Sequence, residues 1–190
     1  MAVREVLVYP DRLLKQVAAP AQAEEIEAVS RDLLDTMGSL GHCVGLAAPQ
    51  LGELVRVVCV DVSEHPKAET SNGRLVLANP RILEVEGSEV GREGCLSIPD
   101  LTANVRRATR IVVEHATGTI ESGGFEARCI QHELDHLDGI LFLDRVESLV
   151  DDVFRRRTYA SEEEPAGGSS SAAGGPEPGR ENASPADRIG

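Results

Sequence analysis

Residues 131–136 read Gln-His-Glu-Leu-Asp-His, and this stretch decides both the fold and the chemistry expected of the chain. An α-helix has 3.6 residues per turn, so His132 and His136 project from nearly the same face and can bind one divalent metal ion together. Glu133 lies beside them, close enough to act as a general base on a water molecule without being a ligand. Because an open catalytic site usually takes three protein ligands, another part of the chain must supply the third.

The best candidate for the third ligand is Cys95, in the segment 93–99, which reads EGCLSIP. Gly94 before it and Pro99 after it favour a turn that brings a thiolate and an adjacent backbone N–H close to the metal. A third segment, residues 45–50, reads GLAAPQ. Its small residues permit close backbone approach, and the side-chain amide of Gln50 is suited to polarising a carbonyl oxygen.

Together the motifs GLAAPQ, EGCLS and QHELDH resemble those of the peptide deformylases, which remove the formyl group from the N-terminal formyl-methionine of new proteins. The resemblance covers roughly residues 3 to 157. It implies that Cys95, His132 and His136 are the metal ligands. The usual metal of the family is ferrous iron, Fe2+, and Zn2+, Ni2+ or Co2+ can occupy the same ligands.

The resemblance also implies roles for the residues around the metal. Glu133 matches the family's catalytic acid/base, and the Gln50 amide and the Leu96 N–H match its oxyanion pair. Gly45 lies in the matching substrate loop, and we expect Val44 beside it to contact substrate as well. Cys129, three residues before His132, either packs in the core or lines this pocket.

Two features depart from the family pattern. Cys43 stands where the first motif usually opens with glycine, and the stretch at residues 114–119 is several residues shorter than a full hairpin. We expect the shorter hairpin to leave the ligands untouched and to alter the rim that contacts the substrate peptide.

Composition places the chain among single-domain proteins. Its 190 residues, 41% of them apolar, can bury one sizeable core, and we expect a catalytic domain at residues 1–159. Residues 160–190 are acidic and rich in Gly, Ser, Pro and Ala, which predicts a disordered tail. The net charge of −13 disfavours DNA or other sequence-independent nucleic-acid binding.

The same composition indicates a compartment and a set of partners. Four cysteines without regular pairing, and the absence of a secretory segment or an apolar span, predict a cytoplasmic protein that does not bind membranes. We expect its partners to be N-formylmethionyl nascent peptides. A second interpretation of the arginine cluster at residues 155–157 is a contact with the ribosome. That arginine cluster is more simply a solvated helix end.

Hydrophobic periodicity predicts an α+β fold, with small antiparallel sheets packed around a central helix that carries the HExDH motif. We predict a helix over residues 26–40 that Gly41 ends, the motif helix over 125–137 and a last helix over 146–154. Strands are predicted at four short β-branched runs, which are residues 54–60, 75–77, 82–85 and 111–113.

Two other functions use some of the same residues. A metalloendopeptidase also uses HExxH with glutamate as base, but such enzymes generally take their third ligand downstream of the motif. The other alternative is an inactive relative with a structural metal. His42, His65 and His115 read as solvated or turn residues, and Asp135 and Asp138 either as helix-surface charges or as carboxylates that orient a ligand imidazole.

Overall fold

The computed structural model describes residues 3–156, and the predicted tail at residues 160–190 lies outside this range. Two α-helices, α1 (Ala23–Ser39) and α2 (Gly124–Leu137), are found in the described part of the chain. Three short 3₁₀-helices accompany them, at Arg12–Lys15, Ala48–Leu51 and Phe142–Arg145. The strands are β1 (Gly45–Ala47), β2 (Val57–Val60), β3 (Leu75–Ala78), β4 (Arg81–Glu86), β5 (Glu89–Cys95), β6 (Ile98–Arg107), β7 (Arg110–His115), β8 (Gly118–Gly123) and β9 (Val153–Arg155).

These strands form three small antiparallel sheets, in the orders β1-β2-β3, β4-β7-β8 and β5-β6-β9. The apolar residues of α2, Ile130, Leu134 and Leu137, share one core cluster with Val58 of β2 and Val113 of β7. Each fully buried side chain of this kind contributes about 1.5–3 kcal/mol to folding. The motif helix is therefore held between two sheets, and the α+β prediction is confirmed.

Helix α1 matches the helix predicted from the periodicity. Its buried face carries Val29, Leu33 and Met37, spaced four residues apart. The backbone turns away just beyond it at Gly41, whose φ of 50° lies in the left-handed region that glycine adopts without strain. The turn directs the following residues toward β1.

The last predicted helix, over residues 146–154, is wrong. A turn at residues 148–152 replaces it, because side chains there bond to nearby backbone: Asp151 N–H donates to Ser148 Oγ (3.1 Å) and Ser148 N–H to Asp152 Oδ2 (3.2 Å). Leu149 and Val150 are 71% and 90% exposed, so the apolar stripe that suggested a helix is not buried.

The chain then forms β9, which pairs with β6. Arg155 consequently ends an edge strand instead of a helix, and Arg157 lies outside the described residues.

The four predicted strands are present as β2, β3, β4 and β7, and β2 is shorter at its start than residues 54–60 suggested. The predictions missed β1, β5, β6, β8 and β9. Strands β7 and β8 close through a two-residue turn in which His115 pairs with Gly118, so the short stretch at residues 114–119 is a complete tight hairpin. Within residues 3–156, no helix combines the length and the apolar character needed to cross a bilayer.

Candidate metal centre and active site

The end of β5 and one face of α2 bring together three side chains that could bind a metal ion. The donor atoms of Cys95, His132 and His136 all lie within 4.8 Å of one another. Cys95 Sγ lies 3.2 Å from His136 Nε2, close to the roughly 3.3–3.8 Å that separates donors around a tetrahedral ion with bonds of about 2.0–2.3 Å. A thiol and two imidazoles are ligands suited to zinc or iron, so this donor set fits a divalent metal.

The sequence places Cys95 there through a break in strand pairing. The register of β5 on β6 shifts between Gly94 and Cys95, a β-bulge that changes the direction of the ligand side chain. Cys95 is 4% exposed and His136 1% exposed, so both candidate ligands are shielded from bulk water.

Glu133 is buried beside the ligands and has an unsatisfied carboxylate oxygen. Its side chain is 5% exposed, and its Oε2 has no hydrogen-bond partner within residues 3–156. Burial disfavours the charged form and raises the pKa of Glu133 to about 7. A carboxyl group with a pKa near neutrality can accept and return a proton in one reaction cycle.

Gln50 is fixed next to the cysteine ligand. Its Oε1 accepts from the Ala47 N–H (3.0 Å), while its Nε2 donates to Ser97 Oγ (3.1 Å) and lies 3.5 Å from Cys95 Sγ. The bond from Ala47 sets the orientation of the amide, so the donor side of Gln50 faces the metal ligands. Gln50 is 2% exposed and is therefore placed as a rigid donor.

A cavity of about 190 Å³ opens over these groups. It is lined by eight of the nine residues selected from the sequence: Val44, Gly45, Gln50, Cys95, Leu96, Cys129, His132 and Glu133. The ninth, His136, lies beneath it and contacts Cys95. Cys43 and His42 also line the cavity, and His42 had been interpreted only as a solvated or turn residue.

The other cysteines occupy two kinds of position. Cys59 is fully buried and packs in the core. Cys129 meets both alternatives, because it belongs to the core cluster around α2 and also lines the cavity. Burial raises the pKa of the Cys43 thiol to about 12, so that thiol stays protonated and donates to Gly45 O at 3.1 Å.

Sequence reasoning missed a carboxylate that contacts the imidazole of a candidate metal ligand. Glu93 Oε2 lies 3.0 Å from His132 Nδ1, while Arg107 donates to both oxygens of Glu93 at 3.0 Å. Burial alone would raise the pKa of Glu93, but the hydrogen bonds from His132 and Arg107 outweigh it and lower this pKa to about 2. A signal was present in the sequence, because Glu93 opens the EGCLS motif that also carries Cys95.

Asp135 and Asp138 make ion pairs with arginines. Asp135 bonds to Arg107 (2.5 Å) and Arg145 (2.6 Å), whereas Asp138 bonds to Arg56 (2.7 Å). Asp135 is therefore linked to His132 through Arg107 and Glu93, and Asp138 is a partly exposed surface charge.

A thiol, two imidazoles and a buried carboxyl group around one cavity are the components of a metal-dependent hydrolase. Comparison with known proteins gives the family. The polypeptide deformylase model matches residues 3–152, most of the described chain. This chain belongs to the polypeptide deformylase family, and its enzymatic activity is that of a deformylase.

Individual relatives agree with this assignment. A peptide deformylase from Alkalilimnicola ehrlichii is 44% identical over 83% of this chain and 89% of its own length. The crystal structure of the Thermotoga maritima peptide deformylase is similar with a TM-score of 0.67 and 34% identity, over 78% of this chain and 100% of that one. A class I type b peptide deformylase from Acinetobacter baumannii with Met-Ala-Ser bound gives a TM-score of 0.68 and 35% identity, over 76% and 100% of the two chains.

Proposed function

We propose that this deformylase hydrolyses the formyl group from the N-terminal formyl-methionine of nascent proteins and releases formate. The observation that carries the proposal is the buried Glu133 carboxyl group beside three convergent metal donors. The relative from Acinetobacter baumannii that holds Met-Ala-Ser supports a substrate with methionine at its N-terminus.

Cys95, His132 and His136 would hold the metal, and we propose Fe2+ as the ion used in the cell, with Zn2+, Ni2+ or Co2+ able to replace it. The contact between His132 Nδ1 and Glu93 assigns the proton to Nδ1 and leaves Nε2 free to bind the ion. When bound, a divalent cation supplies Lewis-acid activation of water and of the formyl oxygen.

Glu133 moves the protons of the reaction. Its carboxylate takes a proton from the water that attacks the formyl carbon, and the resulting carboxylic acid returns the proton to the amine that leaves. The pKa of about 7 suits both steps, because neither protonation state is strongly disfavoured at neutral pH.

Gln50 and Leu96 stabilise the charge that develops on the formyl oxygen. Gln50 Nε2 is held toward the cavity, and the Leu96 N–H follows the cysteine ligand in the chain. Donors fixed before the reaction cost no reorganisation during it, and each typically lowers the barrier by about 2.7–4 kcal/mol. Val44, Gly45 and Cys129 line the same cavity and would contact the methionine end of the peptide.

The alternative functions receive less support. A metalloendopeptidase would usually take its third ligand downstream of HExxH, whereas Cys95 lies upstream of it. An inactive relative would be expected to lack a ligand or the base, and this chain has all four residues.

Formate release is the decisive measurement. Protein purified without oxygen should release formate from formyl-Met-Ala-Ser, with about one metal ion per chain on the same sample. Internal cleavage of a peptide with no formate would favour the endopeptidase, and full metal occupancy with neither product would favour the inactive relative.

We further propose that the enzyme acts in the cytoplasm on chains emerging from the ribosome. Arg155 and Arg156 are exposed and close to the catalytic domain's proposed end at residue 159, which would suit contact with ribosomal RNA. Co-sedimentation with ribosomes that weakens as salt rises would support this contact.

A further inference from the structure

Three arginine side chains line the same cavity as the metal ligands. They are Arg92 of β5, Arg128 of α2 and Arg156, which follows β9. Arg128 is 11% exposed and already neutralised, because its Nη1 donates to Glu93 at 2.9 Å. Arg92 and Arg156 are exposed, and neither forms an ion pair with a carboxylate among residues 3–156.

The guanidinium group of Arg92 is held in place by an aromatic ring. Its central carbon lies 3.5 Å from the centroid of the Phe154 ring, and one nitrogen is 3.4 Å from Thr102 Oγ1. Stacking on a ring occupies the face of the guanidinium and leaves the N–H groups at its edge available to bind a carboxylate with two parallel hydrogen bonds. Arg92 is thus positioned without being neutralised.

The side chain of Arg156 reaches across β5 next to the metal ligand. A Cβ atom added to Gly94 would collide with Arg156 Nη2, so the guanidinium occupies the space that a side chain before Cys95 would fill. The glycine of the EGC motif therefore allows a positive charge to lie directly beside the site.

These contacts bear on the choice of substrate, and the inference rests on the proposed function. We propose that Arg92 and Arg156 select formylated peptides with an acidic side chain at the second or third residue. Arg92 lies three residues before Cys95, about 10 Å along a strand at roughly 3.3 Å per residue. An extended substrate covers the same distance from its formyl end in about three residues.

The positive charge of Arg92 and Arg156 is opposite to the net charge of the whole protein. With a net charge of −13, the chain as a whole repels acidic peptides. Two unneutralised arginines at the cavity place positive charge where the substrate peptide would lie. Exposed ion pairs are worth little individually, so we expect each arginine to contribute about two- to fivefold in selectivity.

The test compares peptides that differ in one charge. The substrates are formyl-Met-Ala-Glu-amide and formyl-Met-Ala-Gln-amide, together with the pair that carries Glu or Gln at the second residue, and kcat/KM is measured with metal-loaded full-length protein at low salt. The variants are Arg92→Gln, Arg156→Gln and the double variant. Arg31→Gln removes an arginine that is paired with Glu27 on α1, and serves as the matched control.

We expect wild-type protein and Arg31→Gln to favour a glutamate peptide over its glutamine partner by at least about threefold. Each single variant should lower this ratio about two- to fivefold, mainly by lowering kcat/KM for the glutamate peptides, and the double variant should bring it to one or below. Arg92→Lys and Arg156→Lys keep the charge and should keep most of the preference. Raising the salt to about 1 M, where the Debye length falls to about 3 Å, should remove it.

A Glu/Gln ratio of one in wild-type protein at both positions would overturn the inference and leave deformylation intact. An unchanged ratio in the double variant would overturn the assignment to these arginines. Calorimetric binding of Met-Ala-Glu-amide and Met-Ala-Gln-amide gives the same ratio without turnover. This second measurement decides the inference even if no formate were released, which would count against the proposed function alone.

Discussion

Gly45 packs directly against the carboxyl group of Glu133: a Cβ atom added to Gly45 would lie 2.5 Å from Glu133 Oε1 and 3.0 Å from the carboxyl carbon. Gly45→Ala should therefore displace the proposed base without touching the metal ligands. We expect turnover of formyl-Met-Ala-Ser to fall at least tenfold while the metal content stays near one per chain. Gly38→Ala, at a helical glycine with nothing within 4 Å, is the matched control and should keep full activity. Unimpaired Gly45→Ala would mean that Glu133 can move aside at no cost.

Substitution of a metal ligand and substitution of the general base should have different effects on metal content. We expect metal and activity to be lost together in each of three variants, Cys95→Ala, His132→Ala and His136→Ala. A site with only two remaining protein ligands binds a metal ion weakly. Glu133→Ala should keep its metal and lose at least about a hundredfold in turnover, the usual scale for a general acid–base residue. Metal content and formate release are measured on the same samples. A ligand variant with full occupancy would remove that residue from the set.

The contact between Glu93 and His132 should be visible in metal affinity. Glu93→Gln leaves the imidazole without a charged acceptor, and we expect the dissociation constant for Zn2+ to rise about 10- to 100-fold in a chelator competition. Glu147→Gln is the control, since it removes an equal charge from an exposed pair with Arg106. Equal affinity in both variants would show that Glu93 supports the fold through Arg107 and has no effect on the metal.

Because Glu133 is buried, the free energy of unfolding of the metal-free protein should fall as the pH rises. Its pKa rises from 4.5 to about 7 on folding, so its contribution to stability is fully present below about pH 4.5 and is lost as pH rises through about 7. At about 1.4 kcal/mol for each unit of pKa shift, the rise in the pKa of Glu133 corresponds to a loss of stability on the order of 3 kcal/mol. Glu133→Gln should therefore be more stable than wild type at pH 8 and close to it at pH 4.5, measured by urea unfolding after chelation. A gain in stability that is the same at both pH values would refute this origin.

The proposed boundary between the catalytic domain and the tail can be tested by truncation. Every side chain assigned to the site or its rim lies between residues 42 and 156. Removing residues 160–190 should therefore leave kcat/KM for formyl-Met-Ala-Ser unchanged within about twofold. A large fall would place the domain boundary further along the chain.

The sequence predicts best what is local. His132, Glu133 and His136 are fixed relative to one another by helix geometry alone, and Cys95 and Gln50 follow from short motifs. The missed contact of Glu93 with Arg107 joins residues 14 apart, and that of Arg107 with Asp135 joins residues 28 apart. Such pairs depend on how β5, β6 and α2 pack, which no local pattern encodes.

The wrong helix at residues 146–154 has the same kind of explanation. Helical spacing of Leu149, Val150 and Val153 favours a helix only if their face is buried, and Leu149 and Val150 are exposed instead. Serine and aspartate side chains compete for the backbone in this segment, and Asn104 of β6 donates to Asp152 at 3.1 Å. Tertiary contacts thus decided a segment whose intrinsic preference was weak.

If Cys95, His132 and His136 hold a metal ion as proposed, the amount of folded enzyme also depends on the supply of that metal. Cys95 and His136 are 41 residues apart in the chain, on a strand and a helix that are brought together only by folding. An ion that binds both therefore favours the native state by mass action, by about 2.7 kcal/mol when its free concentration is a hundred times the dissociation constant. Cells short of the ion would hold a protein that opens more often and is degraded faster, so starvation would reduce the number of enzyme molecules as well as their activity.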